Sequence, residues 1–157
     1  MPSSFVVFSI TGRTGHPAVR FKYFLCINKF MRAIVTAKIK ITSTTEVVKT
    51  IKVYTKALQF CVNAAWRRKI KNNVKLHPFV YEHLRKTLPS QLAVACISQA
   101  AGIVKKAKTK PLIKRASVGY NFPRSANLKG DVLVLRLLKS RQEFKLNIPN
   151  CYKEYFG

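Results

Sequence analysis

Acidic residues are scarce: 157 residues include five, Glu46, Glu82, Asp131, Glu143 and Glu154, scattered with no D-x-D or D-x-E pair. A two-metal site needs several carboxylates converging on ions about 4 Å apart. Metal-dependent phosphoryl transfer is therefore not expected of this chain, and no metal or other cofactor is expected. Cysteines are few and far apart. None of Cys26, Cys61, Cys96 and Cys151 lies within three residues of another, which excludes a CxxC zinc knuckle. Cys61 and Cys96 fall on apolar helix faces, where a free thiol acts as a small hydrophobe. That usage predicts a reducing, cytoplasmic setting. Long apolar runs are missing too. Residues 5–10 form the longest early one, too short to span a bilayer, and they lack the positive n-region of a signal peptide. There is no P-loop, GxGxxG or nucleophile elbow, no internal repeat and no low-complexity tract. His77 reads as a helix cap and His83 as a solvent-facing or phosphate-contacting residue, so no hydrolase triad forms.

What the chain has in excess is positive charge. Thirty Lys and Arg give a net charge of +25. Such a charge cannot be neutralised within the fold and repels itself unless a polyanion is near. A nucleic-acid partner is the expectation. A membrane surface is the weaker alternative, because no basic amphipathic helix with a heavy aromatic face stands out. The excess is uneven: residues 1–31 hold four of the basic residues and no acid, whereas residues 32–157 alone carry +21. Hydrophobic residues make up 48% of the chain, enough to exclude compositional disorder.

Residues 1–31 mix aromatics with Gly12, Gly15 and Pro17 without a clean period. They read as an extra, poorly ordered arm with at most a short strand near residues 5–10, and Met31 is an alternative start. Residues 32–41, RAIVTAKIKI, alternate as a half-buried strand with Lys38 and Lys40 on its outer edge. Ser43 and Glu46 fit a capping box for a helix running to about Lys69. Its apolar stripe is Val47, Ile51, Tyr54, Leu58, Cys61, Val62 and Ala65, and Lys52 and Lys56 lie away from it. Arg67, Arg68, Lys69 and Lys71 make a basic loop. His77-Pro78 opens a second, short helix, with proline in its first turn. Its buried positions are Val80, Tyr81, Leu84 and Leu88. Ser90 caps a third helix whose face is Leu92, Cys96, Gln99, Ala100 and Ile103, and Lys105, Lys106 and Lys108 gather at its C-terminal end, which favours cations. From Pro111 the period changes. Residues 112–120 alternate loosely, 121–130 read as a loop, and 131–138 with 143–148 make a hairpin. The fold class is α+β: a small antiparallel sheet or barrel interrupted after its first strand by a three-helix insertion.

The candidate contacts to nucleic acid are these cations together with Lys114, Arg115 and Arg124, which neutralise phosphates without reading sequence. Aromatics beside them can stack on unpaired bases. Trp66 reads first as partial core. For Tyr120 and Phe122 core and stacking readings are balanced. Gln91, at a helix start beside a cationic surface, reads equally as a base-edge reader or as a plain cap.

Residues 31–157 resemble the N-terminal part of the transposon-encoded TnpB (OrfB) family, especially archaeal members. The resemblance rests on RAIVTAKIKI, on Tyr54-x-x-Ala57-Leu58 and Cys61-Val62-Asn63-Ala64-Ala65, on KLHPFVYEHLRKTLPSQLAVACISQAAGIVKKAK, on KPLIKRASVGYNF, and on a hairpin ending FKLNIP. It implies a wedge β-barrel, residues 32–42 and 111–157, interrupted by a helical recognition insertion, residues 43–110. It also implies binding to a guide RNA and to double-stranded DNA, with Gln91 in the place of a glutamine that helps read a short DNA motif. The family is an RNA-guided DNA endonuclease, but its RuvC-like nuclease domain and four-cysteine zinc finger would follow residue 157. Catalysis, Mg²⁺ and Zn²⁺ are therefore not carried over, and the first thirty residues have no counterpart. The expectation is a truncated protein that binds without cutting. Alternative readings are an RNA-binding structural protein resembling a ribosomal protein, a non-functional insertion-sequence remnant, or a short helix-turn-helix regulator.

Overall fold

The structure, a computed structural model, describes residues 6–13, 16–27, 31–41, 44–148 and 150; for residues 6–40 it describes the backbone alone. The fold is α+β. Three strands, β1 (Val6–Arg13), β2 (His16–Ile27) and β3 (Met31–Lys40), precede three helices, α1 (Thr45–Arg67), α2 (Asn73–Arg85) and α3 (Ser90–Lys106). Four short strands follow: β4 (Val118–Asn121), β5 (Ala126–Lys129), β6 (Val132–Arg136) and β7 (Arg141–Lys145). The chain divides into two compact units, Thr44–Val118 and the remainder, Met1–Ser43 with Gly119–Gly157. The sheets are open rather than closed into the expected barrel: one has the order β3-β2-β1-β4, the other β5-β6-β7.

The largest departure from expectation is at the N-terminus. Instead of a poorly ordered arm, β1 and β2 form an antiparallel pair in register from Val6↔Tyr23 to Arg13↔His16, and β2 continues against β3 from Ala18↔Lys40 to Ile27↔Met31. The helices therefore follow the third strand, not the first. The signal was present: the Gly12-to-Pro17 stretch that reads as a break covers the end of β1 and the start of β2.

In the helical unit, the 3–4 spacing of apolar residues produces the burial expected of it. On α1, Val47, Tyr54, Ala57, Leu58, Cys61, Val62 and Ala65 are buried; on α2, Leu76, Val80 and Leu84; on α3, Leu92, Ala93, Cys96, Ile97, Ala100, Ala101 and Val104. Small residues on α3 let it pack against both other helices, which touch each other little. Cys61 and Cys96 are free and buried, and the Cys61 thiol beside Cys96, together with burial, holds the Cys96 thiol protonated far above its ordinary range. At the same crossing the Tyr54 hydroxyl donates to Gln99 Oε1 at 2.9 Å, which satisfies a buried phenol.

All three helix starts differ from the expected caps. The cap of α1 is Thr44, whose Oγ1 accepts from the Val47 N–H at 3.3 Å; Ser43 lies outside the described residues. Helix α2 begins earlier than the His77-Pro78 reading allows. Asn72 Oδ1 accepts from the N–H groups of Val74 and Lys75 at 2.8 and 3.4 Å, and Leu76 is buried a turn before Pro78. Pro78 is thus inside the helix, beyond the first turn, and the ladder lacks a donor to the Val74 carbonyl. His77 is not a cap; its ring stacks on Tyr81 at 4.3 Å. For α3 the cap position is Pro89, with no side-chain hydrogen bond, and Ser90 is already helical.

Residues 111–117 are not a strand. They run beside α1 as a strap: Ile113 N–H donates to Gln59 Oε1 at 2.6 Å, Gln59 Nε2 donates to the Pro111 carbonyl at 3.4 Å, and Ala116 N–H donates to Thr55 Oγ1 at 3.2 Å. Side-chain anchors replace a ladder, so alternation along the strap is loose. The 121–130 loop shortens to residues 122–125, closed by the buried Ser125 hydroxyl, which accepts from Asn121 N–H at 2.7 Å. Strand β5 then turns into β6 in register Lys129↔Val132, with Gly130 at φ 58°, the positive value that such a two-residue turn requires. The last hairpin pairs β6 with β7, including Leu133↔Phe144, both buried.

Candidate nucleic-acid interface

The helical unit concentrates charge on its surface. Residues 44–118 contain sixteen Lys and Arg and two acids, and all sixteen cations are exposed. Among the described residues the one ion pair is Lys49 with Glu46 at 3.7 Å, and an exposed pair of this kind is worth little. No three His, Cys, Asp or Glu among the described residues converge on a metal-sized space. No described helix is long and apolar enough to cross a membrane.

The predicted contact residues fall into separate groups. Lys52 and Lys56 are exposed on α1. The strap lays Lys114 and Arg115, also exposed, along the same stretch of α1, through its bonds to Thr55 and Gln59. This brings together residues nearly sixty positions apart, a proximity sequence spacing does not show. A second group, Arg67, Arg68, Lys69 and Lys71, surrounds the end of α1. Lys105, Lys106 and Lys108 form a third at the end of α3. In the other unit, Lys38 and Lys40 lie on β3, opposite Arg20 and Ala18 of β2, and Arg124 is exposed on the loop closed by Ser125. Gln91 is half-buried in the first turn of α3, at the opposite end of that helix from Lys105, Lys106 and Lys108. It lies on the other side of the α1–α3 crossing, about 21 Å along the helix from Lys105 at 1.5 Å per residue.

The end of α1 has an unusual construction. Lys69 N–H donates to the Trp66 carbonyl at 3.2 Å and Ile70 N–H to the Ala65 carbonyl at 2.9 Å, the paired bonds of a Schellman ending. That motif places its turning residue in the left-handed region, where glycine is favoured, yet here it is a lysine, at φ 55°. A side chain in this conformation costs about 1 kcal/mol. Lys69→Gly is therefore expected to raise stability by about 1 kcal/mol in a denaturant melt while weakening nucleic-acid binding. A variant that binds as well as the parent would show that the lysine has no binding role.

Tyr120 cannot stack on a base in this structure. It is 1% exposed, its hydroxyl has no hydrogen-bond partner among the described residues, and burial pushes the phenol above its ordinary pKa of about 10. Alternation along β4 turns Val118 and Tyr120 inward and leaves Asn121 exposed. Tyr120→Phe removes an unsatisfied polar atom and should stabilise by about 1 kcal/mol near neutral pH. The phenol's contribution is intact below about pH 10 and falls as pH rises further, because the unfolded chain releases that proton first. Denaturant melts at pH 7 and above pH 10 should show a larger gap between variant and parent at the higher pH.

Of the two balanced candidates it is Phe122 that is exposed, and Phe60 and Phe79 join it. Trp66 is half-buried, Phe122 is exposed on the loop of Arg124, and Phe60 and Phe79 are 38% and 55% exposed on α1 and α2. The signal for the last two was their position off the buried stripes of their helices. No family profile, curated protein or solved structure compared with the chain matches it.

Proposed function

We propose that this chain is a nucleic-acid-binding module of the kind the TnpB resemblance implies, holding a guide RNA and duplex DNA without cutting either. The observation that supports this reading most is that all sixteen cations of the helical unit are exposed with a single carboxylate pairing. Such a surface is relieved by displacing counterions from phosphates. The free, buried thiols Cys61 and Cys96 support a reducing, cytoplasmic setting. Lys52, Lys56, Lys114 and Arg115 supply one group of phosphate contacts and Arg67, Arg68, Lys69 and Lys71 another. Gln91 supplies base reading: α3 has no side-chain cap, so the competing capping role has no support.

The purified chain should retard both a structured RNA and a DNA duplex at about 0.1 M salt and leave both intact with Mg²⁺. Magnesium-dependent cleavage would contradict the proposal. Gln91→Ala should reduce discrimination between preferred and altered duplexes by about 1–3 kcal/mol with little change in melting temperature. Lost stability with unchanged discrimination would assign Gln91 to packing.

A further inference from the structure

The junction of α1 and α2 pairs each of its two exposed phenylalanines with a basic side chain. The Arg68 guanidinium carbon lies 4.7 Å from the centre of the Phe79 ring. The Phe60 and His83 rings stack with centroids 4.3 Å apart and planes 28° apart. Phe79 and His83 are four residues apart on α2, so both pairs lie on one face of that helix. Lys75 and Lys86 share that face at helical spacing and are exposed; Glu82, at its edge, is its one carboxylate. The strained Lys69 turn adjoins Arg68 directly. Positive charge here is interleaved with exposed aromatic rings, whereas among the described residues the cations along the strap and at the end of α3 have no such partner.

We infer that this face is a stacking platform for unpaired nucleobases of a single-stranded segment, a role resting on the nucleic-acid reading above and adding to it. Duplex phosphates need only charge, and a duplex offers its bases stacked and paired. An unpaired base presents a free π-face, which a phenylalanine ring or a guanidinium plane covers without regard to sequence. Phe79, the more exposed ring, is the anchor. Arg68 orients its guanidinium over that ring and faces the adjoining phosphate or base. Phe60 and His83 extend the platform, and Lys75 and Lys86 follow the backbone.

The test compares the full-length chain and its Phe79 variants by fluorescence anisotropy at one salt concentration. The probes are a twelve-nucleotide oligouridylate, the corresponding oligothymidylate and a twelve-base-pair duplex. Phe79→Ala and Phe79→Leu should weaken binding of both single strands about five- to hundredfold and leave duplex binding within about twofold. Phe79→Trp should restore single-strand binding. Phe79→Leu preserves apolar bulk, so a loss in that variant with an unchanged melting temperature is not a folding defect. Equal weakening on single strand and duplex, or none on either, overturns the platform. So does loss of binding to phosphatidylserine vesicles with oligonucleotide binding unchanged, which would make the face a membrane contact. A parent chain that binds duplex but neither single strand overturns the platform alone, whereas one that binds none of the three also overturns the nucleic-acid reading.

Discussion

Replacing Arg67, Arg68, Lys69 and Lys71 together with glutamine is expected to weaken duplex binding about 10²- to 10³-fold at 0.1 M salt and to flatten the salt dependence. Each phosphate contact contributes about 0.9 to the slope of log affinity against log salt. Relative to 1 M salt, each contact is therefore worth up to about a decade of affinity at 0.1 M. Two to three lost contacts span the stated range and reduce the slope by about 2–3. All four side chains are exposed and none has an ion-pair partner among the described residues, so the cost to the fold is small. Glutamine at position 69 keeps a side chain at the strained position, which separates this variant from Lys69→Gly. The comparison is the same substitution at Lys105, Lys106 and Lys108, which lie at the end of a different helix. Similar losses there would indicate that affinity is spread evenly over the surface.

A second large effect is expected in the core. Leu92→Ala should destabilise the helical unit by about 2–5 kcal/mol, read as the loss of helical circular dichroism in a denaturant titration. Leu92 is fully buried on α3, the helix that packs on both others, so neighbours on both sides must move to fill the cavity. Val94→Ala, on the exposed side of the same helix, is the control and should change stability by less than about 1 kcal/mol. A small effect of Leu92→Ala would mean that the helices do not share one core.

The three helices were legible because burial there follows a 3–4 period, and Tyr54, Cys61, Cys96 and Gln99 fell on their predicted faces. Their ends were less legible. Thr44 and Asn72 cap where Ser43 and His77 were expected, since several adjacent polar residues can accept the same N–H groups and only backbone geometry selects one. Pro78 misled because proline favours the first turn, whereas buried Leu76 extends α2 backwards at the cost of one ladder bond. Strands β1 and β2 were hidden because residues 6–27 show no clean apolar–polar alternation, whereas β3 was legible from the alternation of RAIVTAKIKI. The strap was hidden because Gln59 and Thr55 hold it through three isolated side-chain hydrogen bonds that no periodicity reports. At the candidate interface, the cations were readable from composition alone. The aromatics were not, because Tyr120 turns inward on a four-residue strand while Phe60 and Phe79 stay at the surface.

The central claim is that this surface binds nucleic acid by displacing counterions, and its most direct test is duplex-DNA affinity measured as a function of salt. With six or more phosphate contacts, log affinity should fall with log salt at a slope of about −5 or steeper, a loss of about a thousandfold between 50 and 200 mM. A slope between zero and about −1 would contradict the account, because it would leave the sixteen exposed cations of the helical unit without a polyanion to meet.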